Sequence, residues 1–315
     1  MKMKKIFLIS LSLLFLVVIV NKYKENLALG LNLKKDLAPG AQAAVLINAK
    51  TKKVLFSKNK DQRRLIASTT KIMTAIVAIE DGKLDDIVTI GPNAVGVEGS
   101  SVYLKLGDKI PLKSLLYGLM LRSGNDAAVA IAEYIGGSID GFVFLMNQKA
   151  EQLGLKNTHF ANPTGLHDFK NYSSAYDLAI LTAYCLKNPV FAEIVRTKQI
   201  TVPWTEGTTR SFANKNKLLH MYKWADGVKT GYTKKSGRTL VASATMDGIK
   251  LVAVTLSDPT DWKDMIRMFE YGFKKLDKNY KGIALTDKDK IVAKKKEEVL
   301  DTDFTTIFKS IIGQN

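Results

Sequence analysis

Residues 238–257 read RTLVASATMDGIKLVAVTLS. Two runs rich in β-branched and apolar residues flank Asp247-Gly248, a dipeptide that readily supplies the positive φ angles of a two-residue hairpin turn. A second hairpin is predicted near the other end of the chain, where AAVLINA (43–49) and KKVLFSK (52–58) are joined at Lys50-Thr51. The intervening sequence is mostly helical in pattern. A helix from Ser68 to about Glu80 carries Ile72, Ile76 and Ile79 at helical spacing and stops at Asp81-Gly82. PLKSLLYGLMLR (111–122) and NDAAVAIAEYIGG (125–137) predict two more, the latter ended by Gly136-Gly137. Further helical patterns cover about 139–153, 175–186 and 190–195. A strand at QITVP (199–203) and a last helix from Asp261 to about Leu276 complete the series. Strands at both ends with helices between them predict an α+β fold, one antiparallel sheet made from the two chain ends and covered by helices.

Composition narrows the class of protein. With 46% apolar and 24% charged residues among 315, the chain is neither wholly disordered, collagen-like nor a polytopic membrane protein. Its 47 Lys and Arg against 30 Asp and Glu give +17, a surface that attracts polyanions. Lys2, Lys4 and Lys5 precede an apolar run from Ile6 to Val20, roughly 22 Å long as a helix and short for a membrane span. Residues 1–35 therefore read as a signal peptide or an uncleaved amino-terminal anchor, with the remainder extracytoplasmic. Residues 36–280 read as the folded domain, and 281–315 as a charged linker followed by Phe304, Ile307, Phe308, Ile311 and Ile312 on one helical face. That face either folds back on the domain or lies on the membrane surface.

Cys185 stands alone within an apolar run, so it reads as a buried thiol. The three histidines, His159, His167 and His220, have no metal-ligand spacing, and neither metal nor cofactor is predicted. Dispersed basic residues and the scattered Trp204, Trp224 and Trp262 predict no nucleic-acid partner.

The candidate chemistry begins at Ser68-Thr69-Thr70-Lys71. Residues three apart share a helical face, so the Ser68 hydroxyl and the Lys71 amine can meet. A neutral lysine can take the serine proton if burial and a neighbouring cation lower its pKa. A second Ser-x-x-Lys, Ser57 to Lys60, lies in a polar turn and reads as surface. Two further triplets follow in order, Ser123-Gly124-Asn125 and Lys229-Thr230-Gly231. Taken singly they read as a helix cap and an edge-strand run.

Together the three sets resemble the penicillin-recognising serine enzymes, and more narrowly the low-molecular-mass D-alanyl-D-alanine carboxypeptidases. IASTTKIMTA, VEGSSVYLKLGDKI, LLYGLMLRSGNDAAVAIAEYIGG, NTHFANPTGLHD, SSAYDLA, GVKTGYT and LVASAT resemble successive family blocks across about residues 37–277. The resemblance implies the serine β-lactamase and penicillin-binding-protein type of α+β fold, with a helical subdomain. It implies a peptidoglycan stem peptide ending in D-Ala-D-Ala as substrate and β-lactam antibiotics as acylating mimics. It casts Ser68 as nucleophile, Lys71 as general base and Ser123 as proton relay to the leaving D-alanine. Asn125 would position Lys71 and substrate. Lys229 and Thr230 would receive the terminal carboxylate, and Gly231 would let the peptide lie along the strand edge. The backbone N–H groups of Ser68 and Tyr232 would form the oxyanion hole.

Departures are Ile66 where many relatives have Pro, Asn171 where relatives often have His, and a tail too short for the small β-domain many relatives carry. Three other functions share parts of this pattern. A DD-endopeptidase would use the same residues. A class A-like β-lactamase would need a deacylating Glu, and no Glu-x-x-Leu-Asn lies between Ser123 and Lys229. A silent wall-binding module has no need of the full residue set.

Overall fold

A computed structural model describes residues 36–280 and 282, apart from 206. Strands β1 (Ala43–Asn48) and β2 (Val54–Lys58) form the first hairpin, followed by the two-residue β3 (Arg64–Leu65) and helix α1 (Lys71–Asp81). A short hairpin of β4 (Ile87–Thr89) and β5 (Lys109–Pro111) leads into α2 (Leu112–Tyr117), α3 (Asn125–Gly136) and α4 (Ile139–Gln152). Next come β6 (Tyr172–Ser173), α5 (Ala175–Cys185) and α6 (Pro189–Arg196), then a hairpin of β7 (Gln199–Pro203) and β8 (Thr209–Ala213). The short α7 (Leu218–Met221) precedes β9 (Ala225–Thr233), β10 (Gly237–Met246), β11 (Ile249–Leu256) and α8 (Asp261–Leu276).

The main sheet is antiparallel with order β2-β1-β11-β10-β9, so an early and a late strand of the described domain pair inside it, Ala43 opposite Leu256. Asp247 and Gly248 both take positive φ, as the hairpin prediction requires. Leu240 to Ala244 and Leu251 to Leu256 are buried on both faces, which accounts for apolar runs without alternation. Helix α5 packs on β1 and β11. Ile72, Ile76 and Ile79 of α1 enter the core, as does Cys185, whose thiol burial pushes its pKa up. Each such aliphatic side chain contributes about 1.5–3 kcal/mol when fully buried. The described residues fall into two units, one ending at Phe269 and one beginning at Glu270. Within the second, the Tyr280 hydroxyl donates to Glu270 Oε1 at 2.7 Å and its ring meets Phe273 edge-on.

Three expectations change. Ser68 is not in an α-helix: Ala67–Thr70 is a single 3-10 turn and α1 starts at Lys71. The change preserves the contact, because side chains three apart eclipse in a 3-10 turn. The helix expected over 111–122 is α only to Tyr117, and Gly118–Arg122 forms a π turn that ends at Ser123 with φ 64°. The loop-rich stretch before it holds the β4–β5 hairpin, and β8 pairs with the strand read at QITVP. The readings of residues 1–35 and of the linker and helical face in 281–315 lie outside the described residues.

Candidate active site

Local turns place the reactive groups. Ile66 O accepts the Thr69 N–H at 3.2 Å, the Thr69 hydroxyl at 2.6 Å and the Thr239 hydroxyl of β10 at 3.2 Å, which pins the Ser68 turn to the sheet. Ala67 takes φ 46° in doing so. Across from it, Gly165 sits at φ 79° so close that an added Cβ would lie 2.0 Å from Ala67 O. Gly231 is equally constrained: a Cβ there would fall 2.4 Å from Thr239 Oγ1 and 3.0 Å from Ser68 N. A side chain at 231 would fill the space in front of the Ser68 N–H.

Lys71 is fully buried and its Nζ has three partners. It lies 3.3 Å from Ser68 Oγ, donates to Asn125 Oδ1 at 2.6 Å, and donates to the Thr164 carbonyl. Asn125 opens α3 without capping it. Its amide nitrogen donates to Glu98 O at 2.6 Å, and its own N–H donates to Ser100 O at 2.7 Å. The π turn and the left-handed Ser123 bring the neighbouring hydroxyl into the same cleft, a backbone cost of a kind that clusters at functional sites.

Ser68, Ser123, Thr230, Gly231 and Tyr232 line one cleft of about 360 Å³, together with Ser100, Lys215, Lys217, Arg238, Asp261 and Trp262. Lys71 lies buried against Ser68, and Asn125 lies buried against Lys71. Lys229 is also buried, its Nζ donating to Thr230 O at 2.9 Å. Strand β9 is the outermost strand of the sheet, and its Thr230, Gly231 and Tyr232 reach the cleft.

The electrostatics suit a neutral amine. Burial first, then the ammonium groups of Lys229 and Lys215, hold Lys71 well below the ordinary lysine range, while Asp126 opposes them. That carboxylate is already occupied by the N–H groups of Val102, Leu104 and Ala127 and the Ser101 hydroxyl. Burial and Lys215 bring Lys229 down to about 7. Burial and Arg122 lower Lys215 in turn. Among the described residues no carboxylate hydrogen-bonds Ser68 or Lys71. Ser57 of the second Ser-x-x-Lys is exposed on β2, and Lys60 pairs with Asp61.

A sequence model of the D-alanyl-D-alanine carboxypeptidases, peptidase S11, matches residues 33–260. The chain belongs to this family. It is a serine hydrolase by that membership and resembles D-alanyl-D-alanine carboxypeptidase DacF of Bacillus subtilis, 39% identical over 271 residues. That match covers 83% of this chain and 68% of DacF. DacA of Escherichia coli K12 is 38% identical over 243 residues, covering 72% of this chain and 59% of DacA. Among solved structures, a serine-to-alanine mutant of the Streptomyces K15 DD-transpeptidase superposes with TM-score 0.71 at 35% identity, covering 74% of this chain and 98% of that one. The Mycobacterium tuberculosis H37Rv D-alanyl-D-alanine carboxypeptidase gives 0.71 at 32%, covering 75% and 92%. The serine-enzyme fold and the family read from the three triplets are those found.

The sequence reading missed Thr164 and Lys215. Thr164 acts through its carbonyl, which carries no side-chain signature. Lys215 is one of many lysines, and only the fold brings it beside Lys229 and Lys71.

Proposed function

We propose that the protein hydrolyses the terminal D-Ala-D-Ala bond of peptidoglycan stem peptides and so limits cross-linking. The observation that carries this is the Ser68 hydroxyl beside a buried lysine whose other contacts are neutral acceptors. Lys71 takes the Ser68 proton as Oγ attacks the carbonyl between the two D-alanines. The oxyanion is received by the N–H groups of Ser68 and Tyr232, in the space left by Gly231. Ser123 passes a proton to the departing D-alanine amine, and Thr230 with Lys229 receives its carboxylate. Water then cleaves the acyl-enzyme. A β-lactam acylates Ser68 in the same way.

Family membership and the three-triplet set support this reading over a silent wall-binding module. The lack, among the described residues, of a carboxylate hydrogen-bonded to Ser68 or Lys71 supports slow release of a β-lactam adduct over β-lactamase turnover. The charged amino terminus and the apolar run Ile6–Val20 support an extracytoplasmic enzyme at the outer face of the membrane. Intact-mass analysis with benzylpenicillin tests the chemistry: a long-lived adduct that disappears in Ser68→Ala is expected. Release of D-alanine from a pentapeptide, without cleavage of cross-linked dimers, then separates carboxypeptidase from endopeptidase. No adduct on the folded chain would overturn the reading.

A further inference from the structure

The Lys71 amine has a hydrogen-bond geometry that dictates where its lone pair points. A neutral amine carries two hydrogens and one lone pair. Asn125 Oδ1 and the Thr164 carbonyl can only accept, so they take the two hydrogens. The remaining partner, Ser68 Oγ, can donate, and the lone pair is left facing it at 3.3 Å. Without the Thr164 acceptor, the amine could rotate and turn a hydrogen towards Ser68 instead.

The Thr164 carbonyl is held by its own loop. Asn162 Oδ1 accepts from the Thr164 N–H at 3.2 Å, the Thr164 hydroxyl at 2.9 Å and the Gly165 N–H at 2.7 Å, while its Nδ2 donates to Leu166 O at 3.2 Å. The loop is tied to the catalytic helix on both sides. Thr74, one turn beyond Lys71, donates to Pro163 O at 2.7 Å. The buried Asn171 donates to the Thr70 hydroxyl at 2.9 Å and accepts the Ala161 N–H at 3.2 Å. Asn171 is itself fixed by the following residues, Tyr172 and Ser173, which pair with Leu65 and Arg64 just before the nucleophile turn. The residue that stands where relatives often have His therefore touches Thr70, the chain neighbour of Lys71.

We propose that Asn162 and Asn171 are positioning residues for the general base, holding the Thr164 carbonyl so that the Lys71 lone pair faces the Ser68 hydroxyl. This rests on the acyl-transfer reading of Ser68. On the full-length chain, time-resolved intact mass at several benzylpenicillin concentrations gives the limiting acylation rate and the half-saturating concentration separately.

Asn162→Ala and Asn171→Ala are expected to slow the limiting rate about tenfold or more, within the range of general-base contributions. The half-saturating concentration should stay within about threefold, as for a group that acts on the chemical step. Asn171→His, which can still donate to Thr70, should recover most of the rate. Asn162→Asp keeps the triple acceptor, gives up only the Nδ2 donation to Leu166 O and adds a charge near Lys71, so the rate should be largely recovered above an acid limb moved to higher pH. A purely structural asparagine would give no loss of limiting rate at constant half-saturating concentration, and so nothing for these conservative variants to rescue.

Wild-type rates in both alanine variants would overturn the inference alone. So would a rise in half-saturating concentration matching the loss of rate, with neither conservative variant rescuing. No adduct on the wild-type chain would overturn the acyl-transfer reading and this inference with it.

Discussion

Replacing Lys229 by methionine should stabilise the folded protein while disabling it. Lys229 is buried, and its pKa falls from 10.5 to about 7 through burial and the Lys215 ammonium. The unfolded chain therefore binds the proton more tightly than the folded one. At pH 6 both states are charged and folding carries the whole cost, on the order of 5 kcal/mol at about 1.4 kcal/mol per pH unit. As pH rises through 7 the folded lysine is neutralised and stability climbs, until the unfolded lysine also loses its proton near 10.5. By pH 9 roughly 2.7 kcal/mol of the cost is gone. Methionine has similar length and no charge, so Lys229→Met carries none of this dependence. Its own packing difference cancels between the two pH values. Loss of the repulsion on Lys71 works in the same direction.

In thermal melts the advantage of Lys229→Met over wild type should therefore be about 5–10 °C larger at pH 6 than at pH 9, at about 2–4 °C per kcal/mol for a chain of this size. A Tm difference that is the same at both pH values would refute the argument, because it would show that Lys229 does not change protonation on folding within that window.

Gly231→Ala should cut the acylation rate by about 10²–10³, the usual cost of a lost oxyanion donor, since its Cβ would crowd Ser68 N; stopped-flow acylation measures this. Gly165→Ala should destabilise urea unfolding by more than about 1 kcal/mol beyond Gly137→Ala, because both have positive φ but only position 165 presses on Ala67 O. Lys215→Met removes one of the ammonium groups that hold Lys71 down. A Lys71 of higher pKa stays protonated to higher pH, so the acid limb of the acylation profile should shift upward and the rate at pH 7 should fall.

Much of the architecture was legible because it rests on local chemistry. Asp247-Gly248 predicts its own turn, Gly136-Gly137 ends α3, and Ile72, Ile76 and Ile79 mark a core face. What sequence could not show was conformation imposed from a distance. The Ser68 turn is 3-10 rather than α and is packed from a distance, with Gly165 leaving no room for a Cβ beside Ala67 O and Thr239 donating to Ile66 O. The π turn before Ser123 likewise overrides an apolar pattern that fits an α-helix. In the site, the triplets name side chains whose types announce chemistry. Thr164 contributes a carbonyl common to every residue, and Asn162 and Asn171 act one contact removed from the base, so nothing in their spacing singles them out.

The pairing of Ala43 with Leu256 has a kinetic consequence. Interior strand β1 has no partner on its β11 side until almost the whole domain has been made, so the sheet closes through contacts of very large sequence separation. Such topologies fold slowly. The nucleophile's turn inherits the delay, since the residues that clamp it come from the middle and the late part of the chain, Gly165, Gly231 and Thr239. An incomplete chain holds Ser68 and Lys71 close in sequence yet has neither the burial that neutralises the amine nor the strand that receives a peptide. Reactivity is thus withheld until the last hairpin is in place, and a partly made copy has little means of capturing substrate or antibiotic.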